Sequence, residues 1–277
     1  MPRAAALLLL LLCQAAESAV SRAEVIARAA AVVAAPILGS EVYARLPERW
    51  DNPLPPLPVD ASKDVQELIL VIPGAGGPDA NTKRIAESLG RIGGTSAVVV
   101  EYDWKAFVGG QLKAPFNAMR VGDFLADEVR RARPKRLHVI GVSVGGFAAD
   151  RLTARVASFA DAPQLQLTLL DPFTARGLPG LIRPTSAYGV NNFGKTLANA
   201  PMNVFNADDP VPSTNLPLRH AINFDITAAA ERRDFVPLPG DSLHSWPAAW
   251  YGRHPKALDD ARATASSGGR GGVIVVD

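Results

Sequence analysis

The sequence predicts an α/β protein with a mostly parallel central sheet and helices on both faces. Three observations carry that expectation. Short β-branched apolar runs recur along the chain, stretches of helical period separate them, and the runs are apolar without the alternation of a half-exposed strand. Strands buried on both faces read this way, and parallel neighbours need a crossover, usually helical, between them.

Taken in order, Met1-Pro2-Arg3, an alanine and leucine run to Leu12 and small residues through Ala19 have the charged, apolar and small-residue parts of a secretory signal peptide. Residues 1–19 are read as that leader and the mature protein as secreted or periplasmic. The run is too short to span a bilayer comfortably, and no later stretch is apolar and long enough to do so. Cys13 is the only cysteine. A lipid anchor there is the lesser alternative, because Leu12 before it is bulkier than the small residue such processing wants. Cleavage beyond Cys13 leaves no disulfide, so stability must come from the core.

Residues 20–62 read as an alanine-rich helix over 21–35 followed by a proline-dense extended connector from Leu46 to Val59. The principal domain, 63–260, then alternates. Strands are expected at Leu68–Ile72, Ala97–Val100, Leu137–Ile140, Leu165–Leu170, Asn203–Phe205 and Ala221–Ile226. Helices are expected at Thr82–Ile92 and Asn117–Arg131, and after Gly145, where Phe147, Ala148, Leu152, Val156 and Phe159 recur at helical spacing. From Phe173 to Ala200 there is little period, a length that marks a functional loop or an undetected element. The tail, 261–277, is rich in serine and glycine before Val273-Ile274-Val275-Val276, which reads as an added strand or a loose end.

A chain of 277 residues with 48% hydrophobic content can bury one large core, and its net charge of +2 is spread without a basic stripe. Nucleic acid is therefore not an expected partner.

Chemistry concentrates at Gly141-Val142-Ser143-Val144-Gly145. A serine delivered between two glycines, after a buried strand and before a helix, is a nucleophile elbow, and the glycines give room where the backbone folds past itself. Ser143 is the candidate nucleophile. Its hydroxyl needs a histidine to take the proton and an acid to orient that histidine. Of four histidines, His138 lies inside the elbow strand and reads as structural, while His220 precedes the last clear strand and His254 follows an aromatic cluster. His244, in a loop after that strand, can return to the carboxyl edge of the sheet and is the candidate base. Two acids end strands between serine and histidine: Asp171 in Leu170-Asp171-Pro172, and Asp209 in Asp208-Asp209-Pro210-Val211-Pro212. Spacing alone does not choose between them, and aspartate before proline is also an ordinary turn residue.

The loop Pro73-Gly74-Ala75-Gly76-Gly77 after the first strand can turn backbone N–H groups toward an oxyanion, with Val144 N–H as the second donor. It lacks the endings of a phosphate loop or a dinucleotide fingerprint. No cofactor is implied. No Cys/His ligand cluster for a metal is present, though an aspartate-lined ion site stays open.

Several segments together resemble the animal lipase family of pancreatic and lipoprotein lipases and phospholipase A1, within the α/β-hydrolase fold. They are Val100-Glu101-Tyr102-Asp103-Trp104-Lys105, Asn117-Ala118-Met119-Arg120-Val121-Gly122, the elbow, Leu170-Asp171-Pro172, and His244-Ser245 before Trp250-Tyr251, over about residues 65–255 and in the family's order. The resemblance implies Asp171 as the acid, Asp208 as a non-catalytic match and Ala75 N–H in the oxyanion position. The chain departs from the family at Val142 and Val144, where the family has histidine and leucine around the serine. The family's disulfides are absent, and a carboxy-terminal sandwich domain does not fit after residue 260. The Asp-Pro-Val-Pro run is similar instead to fungal-type lipases, which favours Asp209.

The expected activity is hydrolysis of carboxylic esters through an acyl-enzyme, with Ser143, Asp171 and His244 as triad, Asp209 as alternative acid, and Ala75 and Val144 as oxyanion donors. A small-molecule or lipid ester as substrate, with transient contact to a lipid interface, is what the resemblance implies. Residues Thr227–Leu243, with Phe235, Val236 and Leu238, would occupy the family's lid region and are few, pointing to phospholipids or soluble esters rather than emulsified fat. The other readings are an acyltransferase or thioesterase on the same triad, and a catalytically silent fold that binds.

Overall fold

The apolar runs become seven strands of one all-parallel sheet: β1 (Glu67–Ile72), β2 (Ala97–Glu101), β3 (Arg136–Val142), β4 (Gln164–Leu170), β5 (Met202–Phe205), β6 (Ile222–Asp225) and β7 (Val273–Val275), in the order β2-β1-β3-β4-β5-β6-β7. The computed structural model describes residues 39–177, 187–238, 241–259 and 270–276. The expected leader at 1–19 and helix at 21–35 lie outside these residues. Among them, no helix is long and apolar enough to cross a membrane. The chain divides into two units after Leu46; of the first, residues 39–45 are helical.

Among the described residues after Leu46, the helices that accompany the sheet are α1 (Ala80–Gly93), α2 (Ala114–Ala132), α3 (Gly145–Val156), α4 (Tyr188–Asn192) and α5 (Trp246–Arg253). Local chemistry starts α1, where Asp79 Oδ1 accepts the N–H groups of Asn81 and Thr82 and Thr82 Oγ1 accepts the Asp79 N–H. Pro115 and Pro247 sit in the first turns of α2 and α5, where a missing N–H costs nothing.

Strand β1 explains why both sheet faces are covered. Leu68, Leu70 and Ile72 join one apolar cluster with residues of α2 and α3, while Ile69 and Val71 join another with residues of α1 and α5. Alternate side chains point to opposite faces, so an unbroken apolar run needs partners on each.

The proline-dense stretch has no helix or strand, as expected, yet it belongs to the packed structure. Leu54 and Leu57 are buried, Leu57 N–H donates to Glu128 Oε2 at 2.9 Å, and Tyr102 O–H donates to the Pro55 carbonyl at 2.8 Å. The tail question resolves as a strand: β7 pairs with β6 in register Asn223↔Val273 to Asp225↔Val275.

The chain leaves β1 for β2 through α1 on one face and leaves β3 for β4 through α3 on the other, although β1 and β3 are neighbours. Connections departing in opposite directions open a crevice at the carboxyl ends of the two strands, where open α/β sheets place their sites. The register pairs Ile72 with Gly141, so the glycine loop after β1 and the elbow after β3 meet there. The parallel sheet, its two helical layers and the strand–elbow–helix unit at the switch point form an α/β-hydrolase fold.

One half-buried carboxyl away from this edge titrates late. Asp150 on α3 accepts the Gly194 N–H at 2.8 Å. Burial pushes its pKa up to about 7, against the opposing influence of that N–H and of the Arg151 charge. An acid whose folded pKa is raised contributes stability that is complete below its unfolded value of 3.8 and is lost as pH rises toward 7. Asp150→Asn, which still accepts the Gly194 N–H, should therefore remove that part of the decline. Urea unfolding from about pH 4 to 8 is expected to show the variant gaining on the wild type across the window and holding a constant lead above it.

Candidate active site

Ser143 occupies the turn between β3 and α3 with φ +52°, a left-handed conformation uncommon for a residue with a side chain. Hydrogen bonds impose it: Ser143 N–H donates to the Leu170 carbonyl at 3.1 Å, and its carbonyl accepts from Gly146 and Phe173, each at 3.0 Å. The flanking glycines are sterically required. A Cβ on Gly141 would lie 2.7 Å from the Ala149 Cβ and 2.9 Å from the Gly146 Cα, and one on Gly145 would overlap the carbonyl oxygens of Ile72 and Pro73.

The loop after β1 presses on the same serine. A Cβ on Gly74 would come 3.2 Å from Ser143 Cβ and 3.7 Å from its Oγ. The loop turns through a hydrogen bond from Gly77 N–H to the Gly74 carbonyl at 3.1 Å, placing Ala75 inside the turn. Buried Trp104 anchors it, its indole N–H donating to the Pro73 carbonyl at 2.9 Å. Val144 is the N-cap of α3 and makes no side-chain capping hydrogen bond.

His244 stands in a short 3-10 turn, Leu243–Ser245, capped by Ser242, whose Oγ accepts the His244 N–H at 3.2 Å. Behind it, the Trp246 indole donates to the Ile226 carbonyl at 3.0 Å and ties α5 to the end of β6. The imidazole is 17% exposed. Its Nδ1 lies 2.6 Å from Asp209 Oδ2 and 3.8 Å from Asp171 Oδ2. Nε2 has no hydrogen-bond partner among the described residues.

The sequence reading put Asp171 first as the orienting acid; the hydrogen bond runs to Asp209, its alternative. The cause is where each carboxyl is already committed. Asp171, in a left-handed residue at φ +39°, has its N–H on the Val204 carbonyl and its Oδ1 on the Asn206 N–H, both at 2.9 Å, which draws it toward β5. Asp209 is held from the far side, where Val211 N–H donates to Oδ1 at 2.8 Å and Thr214 O–H to Oδ2 at 2.5 Å, leaving Oδ2 turned to the histidine. The sequence reading missed Thr214 and Asn206. The turn-prone Asp209-Pro210 followed by Ser213-Thr214 was the available signal for the first.

The two carboxyls differ in charge state. Burial would raise the Asp209 pKa, but the hydrogen bond and charge of His244, with Thr214 and the Val211 N–H, outweigh it and hold the group below its ordinary value. Burial, then the charge of Asp209 and a side-chain hydrogen bond to it, push Asp171 well above the carboxylate range, against the Asn206 N–H. Asp209 is thus the anion and Asp171 the neutral acid, a division that like charges in one pocket enforce.

Asp171, Asp209 and His244 also form the group of potential ligands among the described residues, their donor atoms within 4.8 Å of one another. Two ligands of one tetrahedral zinc stand roughly 3.3 Å apart, so the 2.6 Å contact is a hydrogen bond and does not seat an ion.

The remaining histidines are engaged elsewhere. His138 Nε2 is 3.0 Å from Thr168 Oγ1 inside the sheet, His220 Nε2 is 3.1 Å from the Asn191 carbonyl, and His254 pairs with Glu231 at 2.8 Å. Of the Thr227–Leu243 stretch, residues 239 and 240 lie outside the described set. Ala230–Asp234 forms a 3-10 turn, Arg232 pairs with Asp208 at 3.2 Å, Phe235 packs on Trp246 and Val236 is 81% exposed.

No family model and no curated protein sequence matches the chain. Among solved structures, the chain is similar to a protein from Xanthomonas campestris described as a hydrolase of the alpha/beta superfamily (17% identity, 70% of this chain and 99% of that one, TM-score 0.41). It is also similar to Aspergillus fumigatus lipase B (12% identity, 64% and 50%, TM-score 0.38) and to a poly(3-hydroxybutyrate) depolymerase from Bordetella parapertussis (16% identity, 80% and 74%, TM-score 0.33).

Proposed function

We propose that the protein is a secreted serine hydrolase of carboxylic esters. The observation that carries this reading is the buried 2.6 Å contact of Asp209 with His244, at the sheet edge where the strained Ser143 sits. Ser143 attacks the ester carbonyl and forms the acyl-enzyme. His244 takes the serine proton on Nε2 and returns it to the leaving alcohol, and Asp209 holds the Nδ1–H and stabilises the imidazolium. Ala75 and Val144 N–H groups hold the oxyanion, helped by the uncapped N-terminus of α3. Water then releases the acid by the same proton relay.

This triad takes its acid from the loop after β5, whereas the lipase-family resemblance takes it from the loop after β4. A lipid ester, with brief contact at a lipid interface, is the finer part of the proposal. It draws support from the exposed Val236 and Leu238 in the stretch before His244.

The test is fluorophosphonate labelling of the purified protein, followed by peptide mapping. Labelling is expected on Ser143 alone, together with release of p-nitrophenol from a short ester. Unlabelled Ser143 in folded protein would leave a silent binding fold. Labelling with faster transfer to an added alcohol or from a thioester would make the protein an acyltransferase or thioesterase.

A further inference from the structure

Two carboxyls stand behind His244, and the hydrolase reading above uses one. Asp171 Oδ2 lies 3.8 Å from His244 Nδ1, the side chain is 1% exposed, and its neighbour is the Asp209 carboxyl, to which a protonated Asp171 donates. Burying a second carboxyl beside an ionised one is costly, so a neutral carboxyl turned toward an imidazole calls for a reason.

The surroundings hold Asp171 in place. The left-handed backbone, the N–H on the Val204 carbonyl and the Asn206 N–H on Oδ1 fix the carboxyl from one side. Asn206 also reaches the histidine's turn, its Nδ2 donating to the Leu243 carbonyl at 3.4 Å. The same asparagine thus links the loop that carries Asp171 to the turn that carries His244. The nearest other charges are Asp209, held by Thr214, and Asp208, paired with Arg232.

Resting on the ester-hydrolase reading, we propose that Asp171 is a positioning residue that forms with Asp209 a two-carboxyl seat for His244, in which either carboxyl can hold the Nδ1–H. In the intact site Asp209 holds it and Asp171 fills the space behind the ring, limiting its tilt. If Asp209 is truncated, a shift of about 1 Å, the difference between the two distances, brings Asp171 Oδ2 into the same contact. Loss of the Asp209 charge also removes one of the influences that keep Asp171 neutral.

The experiment compares kcat, KM and fluorophosphonate labelling rate for Asp209→Ala, Asp171→Asn, their combination and His244→Ala, with melting curves for each. Asn at 171 still accepts the Asn206 N–H but supplies no carboxylate. Asp209→Ala is expected to keep kcat about 10-fold or more above the double variant at similar KM, with the double variant at the level of His244→Ala. Asp209→Asn should be worse than Asp209→Ala, because its amide fills the gap and bars the shift. Equal kcat for Asp209→Ala and the double variant, both folded, overturns the proposal. If Asp209→Ala does not fold, Asp171→Ala, which empties the space behind the ring, decides. A fall in kcat of about 3-fold or more at unchanged KM supports the seat, and an unchanged kcat overturns it. Failure of the underlying reading looks different: Ser143 would not label in the wild type.

Discussion

Ser143→Ala is expected to lower kcat for a p-nitrophenyl ester by about 10⁴-fold or more, with no fluorophosphonate labelling and little change in melting temperature. The size follows from interdependence. Without Oγ there is no proton for His244 to accept, so the proposed relay from Ser143 to Asp209 has no function, and only the binding and oxyanion contacts of that proposal remain. The small effect on stability has a separate cause. Serine and alanine share the constraint of a Cβ at φ +52°, and the contacts that impose this conformation are backbone hydrogen bonds to Leu170, Gly146 and Phe173. A stopped-flow or plate assay beside a melting curve checks both parts. A folded variant that keeps a tenth of the activity removes Ser143 as the nucleophile.

Gly145→Ala carries the largest expected effect on stability, about 3 kcal/mol or more, and the variant is expected in the insoluble fraction if it cannot adjust. The added Cβ meets the carbonyl oxygens of Ile72 and Pro73. These are backbone atoms at the end of a buried strand, so relief requires β1 and β3 to separate. The same change at Gly110 meets nothing within 4 Å and should alter unfolding free energy by less than about 1 kcal/mol. Chemical denaturation of the two variants tests the contrast; a Gly145→Ala protein as stable as Gly110→Ala would show that the elbow can open.

Much of the sheet was legible because its strands are buried on both sides. Val71 and its neighbours read as a strand from composition alone, and the boundaries of β1 to β6 fall within one or two residues of expectation. The elbow was legible for a related reason. Its chemistry is local, and the glycines answer clashes between atoms within a few residues of the serine or on the adjoining strand. Three features were not legible. Helix α4 (Tyr188–Asn192) is too short to show a period. Strand β7 has three residues, two of them exposed, so its assignment rests on pairing with β6 rather than on its own pattern. Leu54 and Leu57, in a proline-dense run without regular structure, are buried in an apolar cluster that includes residues of α2 and Val100 of β2.

The sequence alone determined the strand–helix alternation, the serine on its turn, and a short set of partners: one histidine loop and two aspartates at strand ends. Which aspartate meets the histidine was decided only in three dimensions. Asp171 and Asp209 have the same chemistry and the same place in chain order, and both reach the carboxyl edge of neighbouring strands. Their difference comes from groups elsewhere in the chain: the Asn206 N–H that draws one carboxyl aside, and Thr214 with the Val211 N–H that turn the other toward His244. A distance of 2.6 Å against 3.8 Å is set by such contacts between loops, and the residue spacing along one chain does not contain it.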